Sequence, residues 1–182
     1  MNQDYVCLEA SLAESICTYF YRKHGYMVQP FGIETIVGNA FYFLDVKNHA
    51  ETNDKASPII KKYMTSPDLL VIKPSKNKAI EQTYLVEIKY RTFKDIDDFK
   101  QSFQDEKGDL RQEAQKYLDN WGIVYMFIIV KFSKSKNVHV YIDMVSNISK
   151  GYLRGIDHKD HKKWIQPSIR KEIEAQCQKT FG

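Results

Sequence analysis

The stretch Ser66-Pro67-Asp68-Leu69-Leu70-Val71-Ile72, followed after a polar turn by Tyr84-Leu85-Val86-Glu87-Ile88-Lys89-Tyr90, decides how the rest of the chain is read. Residues 69–72 and 84–90 are rich in branched and aromatic side chains, and Pro74-Ser75-Lys76-Asn77-Lys78 between them is turn chemistry. The pattern predicts two short strands joined as a hairpin. Asp68 stands where the first strand opens. Glu87 and Lys89, two apart on the second, project from one face, and Val86, Ile88 and Tyr90 fill the other. Charge in the middle of an apolar strand costs free energy unless it is paired or bound to an ion, so this face is a candidate site. Two carboxylates hold Mg²⁺ through hard oxygen ligands, and an adjacent ammonium orients or polarises the water that attacks a phosphodiester.

Upstream, residues 9–24 carry Leu12, Ile16, Tyr19 and Phe20 at spacings of three and four, which predicts an amphipathic helix ended by Gly25. Glu14 lies beside that apolar stripe, and Glu9 is a weaker acid of the same helix. A first strand is expected from Met27, resuming over 33–37 after the interruption at Pro30 and Gly32. Asp45 and His49 fall in a polar region and read as solvated loop residues, and 58–64 is a short helix or an irregular lead into the site.

Downstream, Asp95, Asp97 and Asp98 read as a solvated loop or a helix start. Residues 109–120 form a helix with Asp109 as its cap, with Leu110, Ala114, Tyr117 and Leu118 on one side. Residues 123–130 are continuously apolar, as in a strand buried on both faces. Strand, helix and strand in that order imply a right-handed parallel crossover. A turn at 133–137 precedes a half-exposed strand over 138–143 that includes His139. A final helix is expected from Pro167 or Ser168, docking Ile169, Ile173 and Cys177. The cluster Asp157-His158-Lys159-Asp160-His161 has no zinc-like spacing and reads as a solvated loop.

Ser66-Pro67-Asp68, a hairpin-length gap and then Glu87-Ile88-Lys89 resemble the PD-(D/E)XK nuclease superfamily, which includes restriction endonucleases, Holliday-junction resolvases and phage, transposon and defence nucleases. The resemblance covers roughly residues 12–130. It implies a restriction endonuclease-like α/β core, a mixed central sheet flanked by helices, and a metal-dependent endonuclease acting on nucleic acid, DNA before RNA. Asp68, Glu87 and the Ile88 backbone carbonyl would hold Mg²⁺, with Mn²⁺ as a substitute. Lys89 would position the nucleophilic water or stabilise developing charge, and Glu14 would assist at the metal. Arg91, Lys94 and Gln112 are candidate contacts to the nucleic acid, although Gln112 and Tyr117 lie one position too far apart for the glutamine-tyrosine motif of some members. The alternative is a silent binding module on the same fold, or a subunit active only within a larger nuclease complex. Two-strand cutting would suit a homodimer.

The 182 residues fit a single domain, with a core over about 9–145 and a basic extension over 146–182 in which Tyr152 and Trp164 lie among cations. At 43% hydrophobic and 27% charged the composition is that of an ordinary globular chain, and a net charge of +4 is compatible with a polyanionic partner. No apolar run approaches the roughly 20 residues of a membrane span. The opening Met1-Asn2-Gln3-Asp4 lacks a secretory pattern, so a cytoplasmic protein with no membrane partner is expected. Cys7, Cys17 and Cys177 fit neither a disulfide framework nor a zinc set.

Overall fold

The strand that carries Glu87 and Lys89 is the middle one of five. The computed structural model describes residues 3–31, 66–75 and 80–182, with backbone alone over 3–7. Helix α1 (Gln3–Lys23) leads to β1 (Met27–Pro30), β2 (Leu69–Pro74) and β3 (Ile80–Phe93). Helices α2 (Ile96–Gln104) and α3 (Asp109–Trp121) then cross to β4 (Val124–Phe132), followed by β5 (Val138–Met144) and the single turn α4 (Val145–Ile148). A 3₁₀ turn at His161–Lys163 precedes α5 (Pro167–Phe181). The strands lie in the order β1-β2-β3-β4-β5. The first three are antiparallel, β4 runs parallel to β3, and β5 returns antiparallel to β4. The expected hairpin, crossover and mixed α/β sheet are all present, and no helix among the described residues is long and apolar enough to cross a membrane.

Two apolar layers hold this sheet. On one face α1 and α5 bury Ala13, Ile16, Cys17, Phe20, Ile169, Ile173, Cys177 and Phe181 against Leu69, Val71, Val86, Phe127 and Ile129. On the other, α2, α3 and α4 supply Phe99, Phe103, Leu110, Ala114 and Ile148, packed against Val124, Met126, Ile128 and Val130. Strand β4 is therefore buried on both sides, which is why its sequence shows no alternation. In the segment after 146, Ile156, Ile165 and the inner face of α5, with the expected Ile169, Ile173 and Cys177, pack in the same core.

Local chemistry explains the element ends. Gly25 follows α1 at φ +80°, in the left-handed region where a side chain would be strained, and its N–H bonds Arg22 O at 2.9 Å. Asp95 caps α2 by accepting the Asp98 N–H at 3.1 Å, with Asp97 and Asp98 in the favourable first turn. The local acidic run is thus a helix start. Asp109 does not cap α3 as expected: Gly108 holds that position, because a Cβ there would stand 2.3 Å from Ser102 O. Helix α1 starts six residues earlier than its periodicity predicts, and its buried stripe is Ala13, Ile16, Cys17, Phe20 and Tyr21, leaving Leu12 36% exposed.

One buried ion pair ties the chain beyond β5 to the sheet. Asp143 accepts Arg154 Nη2 at 2.5 Å and Nε at 2.9 Å, the Arg154 backbone N–H at 3.1 Å and Asn147 Nδ2 at 2.7 Å. Removing the carboxylate leaves a guanidinium and several donors without their acceptor, so Asp143→Ala is expected to lower unfolding stability by about 3 kcal/mol or more. Urea denaturation followed by circular dichroism measures it, and a loss below about 0.5 kcal/mol, the usual range of a surface substitution, would contradict this account.

Candidate functional site

Strand pairing brings the charged residues together. The β2–β3 register sets Leu69 opposite Val86 and Leu70 opposite Leu85, so one further step along the same ladder puts Asp68 beside Glu87. Asp68 Oδ2 accepts the Ile88 N–H at 2.7 Å, in place of the backbone acceptor that a longer β2 would supply. The N–H and C=O of one strand residue lie on the same edge, so the Ile88 carbonyl is on the Asp68 edge as well. Glu87 is only 3% exposed, and its Oε1 meets Lys89 Nζ at 2.6 Å.

Helix α3 roofs this face. Tyr117 packs over the pair, with its ring centroid 5.6 Å from Lys89 Nζ. Glu113, one turn earlier, bonds Arg91 Nη2 at 2.8 Å. Glu87, Lys89 and Arg91 thus form a row along β3, facing Tyr117 and Glu113 on the helix. Glu113 and Tyr117 are the site residues that sequence reasoning missed. The signal for Tyr117 was its place in the Leu110-Ala114-Tyr117 stripe, and Glu113 lies four residues before it on the same side.

The electrostatics of Glu87 are those of a carboxyl group short of a counter-charge. Burial, and then the negative charge of Asp68, raise its pKa from 4.5 to about 7, while Lys89 and, more weakly, the Tyr117 hydroxyl pull the other way. Tyr117 is raised in turn by burial and by Glu87. Glu87 Oε2 is buried with no hydrogen-bond partner among the described residues. A hard divalent cation between Asp68 and Glu87 would satisfy that oxygen and relieve the repulsion, so the donor set fits Mg²⁺ or Mn²⁺.

Glu14 is exposed on α1, which packs on the opposite face of the sheet. Its charge and that of Asp68 both act on the buried Cys17 thiol, which places it towards the Asp68 end. Among the described residues no three His, Cys, Asp or Glu side chains are grouped closely enough to hold a metal. Arg91, expected on a phosphate, is half-buried in its pair with Glu113. Lys94 is exposed just past the end of β3, where its backbone N–H bonds Asp98 Oδ2 at 3.0 Å. Gln112 is exposed, about 100° around α3 from Glu113, and is not brought to the site. His139 is exposed on β5. Asp45, His49, the strand expected over 33–37 and the segment 58–64 lie outside the described residues.

The 157–161 segment is exposed at Asp157 and Lys159, as its composition predicts, but not at its end. His161 is buried, with Nδ1 2.9 Å from Gly155 O, and Asp160 Oδ2 takes Arg154 Nη1 at 3.2 Å, because the Asp143 clamp fixes Arg154 beside it. No protein-family model, curated protein or solved structure matches this chain.

Proposed function

We propose that this chain is a metal-dependent nuclease of the PD-(D/E)XK type that hydrolyses phosphodiester bonds in nucleic acid, DNA first. The observation that carries the reading is the buried Glu87 carboxylate, paired with Lys89 at 2.6 Å and raised first by burial and then by the Asp68 charge beside it. The restriction endonuclease-like core is supported by the order helix, antiparallel hairpin, helix and parallel strand, with α3 lying where that family's core places a helix.

Asp68, Glu87 and the Ile88 carbonyl would hold Mg²⁺ or Mn²⁺, which supplies Lewis-acid polarisation of a phosphate oxygen. Lys89 orients the attacking water or stabilises the charge that builds on phosphorus, and it does so as an ammonium without having to give up its proton. Tyr117 covers the pair and keeps the local dielectric low, which strengthens both actions. Lys94, exposed just past the end of β3, offers a cation to a phosphate backbone, whereas the charge of Arg91 is already met by Glu113.

Incubating the protein with plasmid, linear and single-stranded DNA and with RNA, in Mg²⁺, Mn²⁺ or EDTA, tests metal, substrate and hydrolysis together. DNA product is expected with either metal and none with EDTA. Binding with no product under every condition would overturn hydrolysis by the chain alone and leave the binding module or the partner-dependent subunit.

A further inference from the structure

The other face of the sheet carries a second site. Tyr84 pairs with Val71 and Tyr125 with Val86, so both rings point to the α1 and α5 side, away from Glu87 and Lys89. Together with Tyr26 they form the floor of a cavity of about 370 Å³, whose wall is Arg154, Asp160 and His161. That volume lies in the range of small-ligand pockets, about 300–1,000 Å³.

The rings are set edge to face. Tyr26 and Tyr84 stand 6.4 Å apart at 63°, and Tyr84 and Tyr125 5.5 Å apart at 87°. Such a corner offers a ring face to a flat guest and a ring edge to its rim. Burial raises all three phenols, so each stays a neutral hydroxyl. The wall is rigid and rich in acceptors. Arg154 is locked by Asp143, and both ion-pair partners of Asp160 meet the same oxygen, Oδ2. Burial holds His161 below its usual pKa, so a neutral ring that donates from Nδ1 to Gly155 O keeps Nε2 as an acceptor.

The charges narrow the ligand class. Each cation at the cavity already has an acid: Arg154 has Asp143, and Lys73 at the rim has Glu81 at 3.0 Å. A bare anion therefore gains little here. A cationic guest would meet Arg154 and Lys73. What remains is a flat, uncharged ring with donors on its edge.

We infer that this cavity binds a nucleobase, lying in the Tyr84–Tyr125 corner on the face of one ring and against the edge of the other, with its donor edge on Asp160 and His161. Guanine fits best, because its adjacent ring N–H and amino group match a carboxylate. The base comes either from a free nucleotide or from an unstacked position of a single strand. The inference does not rest on the hydrolytic reading, since the two sites lie on opposite faces.

Calorimetric titration of the full chain in EDTA, where no phosphate can reach a metal on the other face, tests it. The titrants are GMP, AMP, CMP, UMP, inorganic phosphate and a short single strand carrying one guanine. Binding is expected for GMP, for the strand or for both, and the arm that binds identifies the source. Phosphate alone is expected to give no heat. Tyr84→Leu and Tyr125→Leu keep apolar bulk without a π-face, and each is expected to weaken binding about tenfold or more while circular dichroism stays native. Asp160→Ala is expected to erase the preference for GMP over AMP. Absence of binding by every nucleotide and by the strand, or unchanged affinity in a folded leucine variant, overturns the inference.

Discussion

Lys89→Met is expected to lower metal-dependent DNA cleavage by about 10²–10³-fold, the loss typical of removing one charge-stabilising donor. The ammonium is only 17% exposed and is fixed at both ends of its reach, by Glu87 Oε1 at 2.6 Å and by the Tyr117 ring. Methionine keeps the length of the stem and removes only the charge. The substitution also acts on its neighbour: without Lys89 the Glu87 pKa rises above its present value of about 7, so at neutral pH a metal must displace a proton first. The two effects separate in single-turnover rates measured against metal concentration from pH 7 to pH 9. Raising pH and metal together restores occupancy. A rate deficit that persists at saturation belongs to the ammonium's work on the reacting phosphate, whereas one that vanishes would reduce Lys89 to a tuner of Glu87 and sink its direct role. Asp68→Asn is the matching control. Its amide oxygen can still accept the Ile88 N–H, so the fold is kept while one negative ligand is lost, and the metal concentration needed for cleavage rises instead.

The same two strands show what a sequence can disclose. The hairpin, the shared face of Glu87 and Lys89, and the two-sided burial of β4 follow from side-chain alternation and β-branched content, which are local properties of a strand. Residues 87, 89 and 91 also share a parity that was open to reading, but the partner of Arg91 was not. Glu113 is 22 residues away and reaches it only because α3 crosses above β3. Tertiary packing likewise overrode the periodicity of α1. The small Ala13 and Cys17 are buried between Phe20, Tyr21 and the sheet, and the larger Leu12 is left at the surface. Polar composition misled most at the end of 157–161. Asp160 is held by Arg154, itself clamped by Asp143 of β5, and His161 is buried, so the two line a cavity that no local motif announced.

Glu87→Gln separates the cost of the buried carboxylate from everything else in the fold. The folded-state pKa of Glu87 is raised, from 4.5 to about 7, so the native state holds the proton more tightly than the unfolded chain does. The stability this confers is complete below pH 4.5 and is lost as pH rises to about 7, where the native protein must carry an ionised acid that is 3% exposed. The rise corresponds to about 3 kcal/mol. Glutamine has the same shape and no proton to lose. In EDTA, unfolding free energies of the two proteins from urea titrations at pH 4 and pH 8 are therefore expected to diverge, with the wild type losing about 3 kcal/mol more than the variant over that interval. Titrating groups remote from Glu87 are common to both and cancel in the comparison, so what remains belongs to Glu87 and its coupled neighbours Asp68 and Lys89. At pH 8, Mg²⁺ or Mn²⁺ is expected to recover the wild-type loss in a concentration-dependent way and to leave the variant unmoved, because a ligand stabilises the native state only through the site it occupies. Parallel pH curves would mean that Glu87 ionises as freely folded as unfolded, and the carboxylate pair would then have no need of a cation.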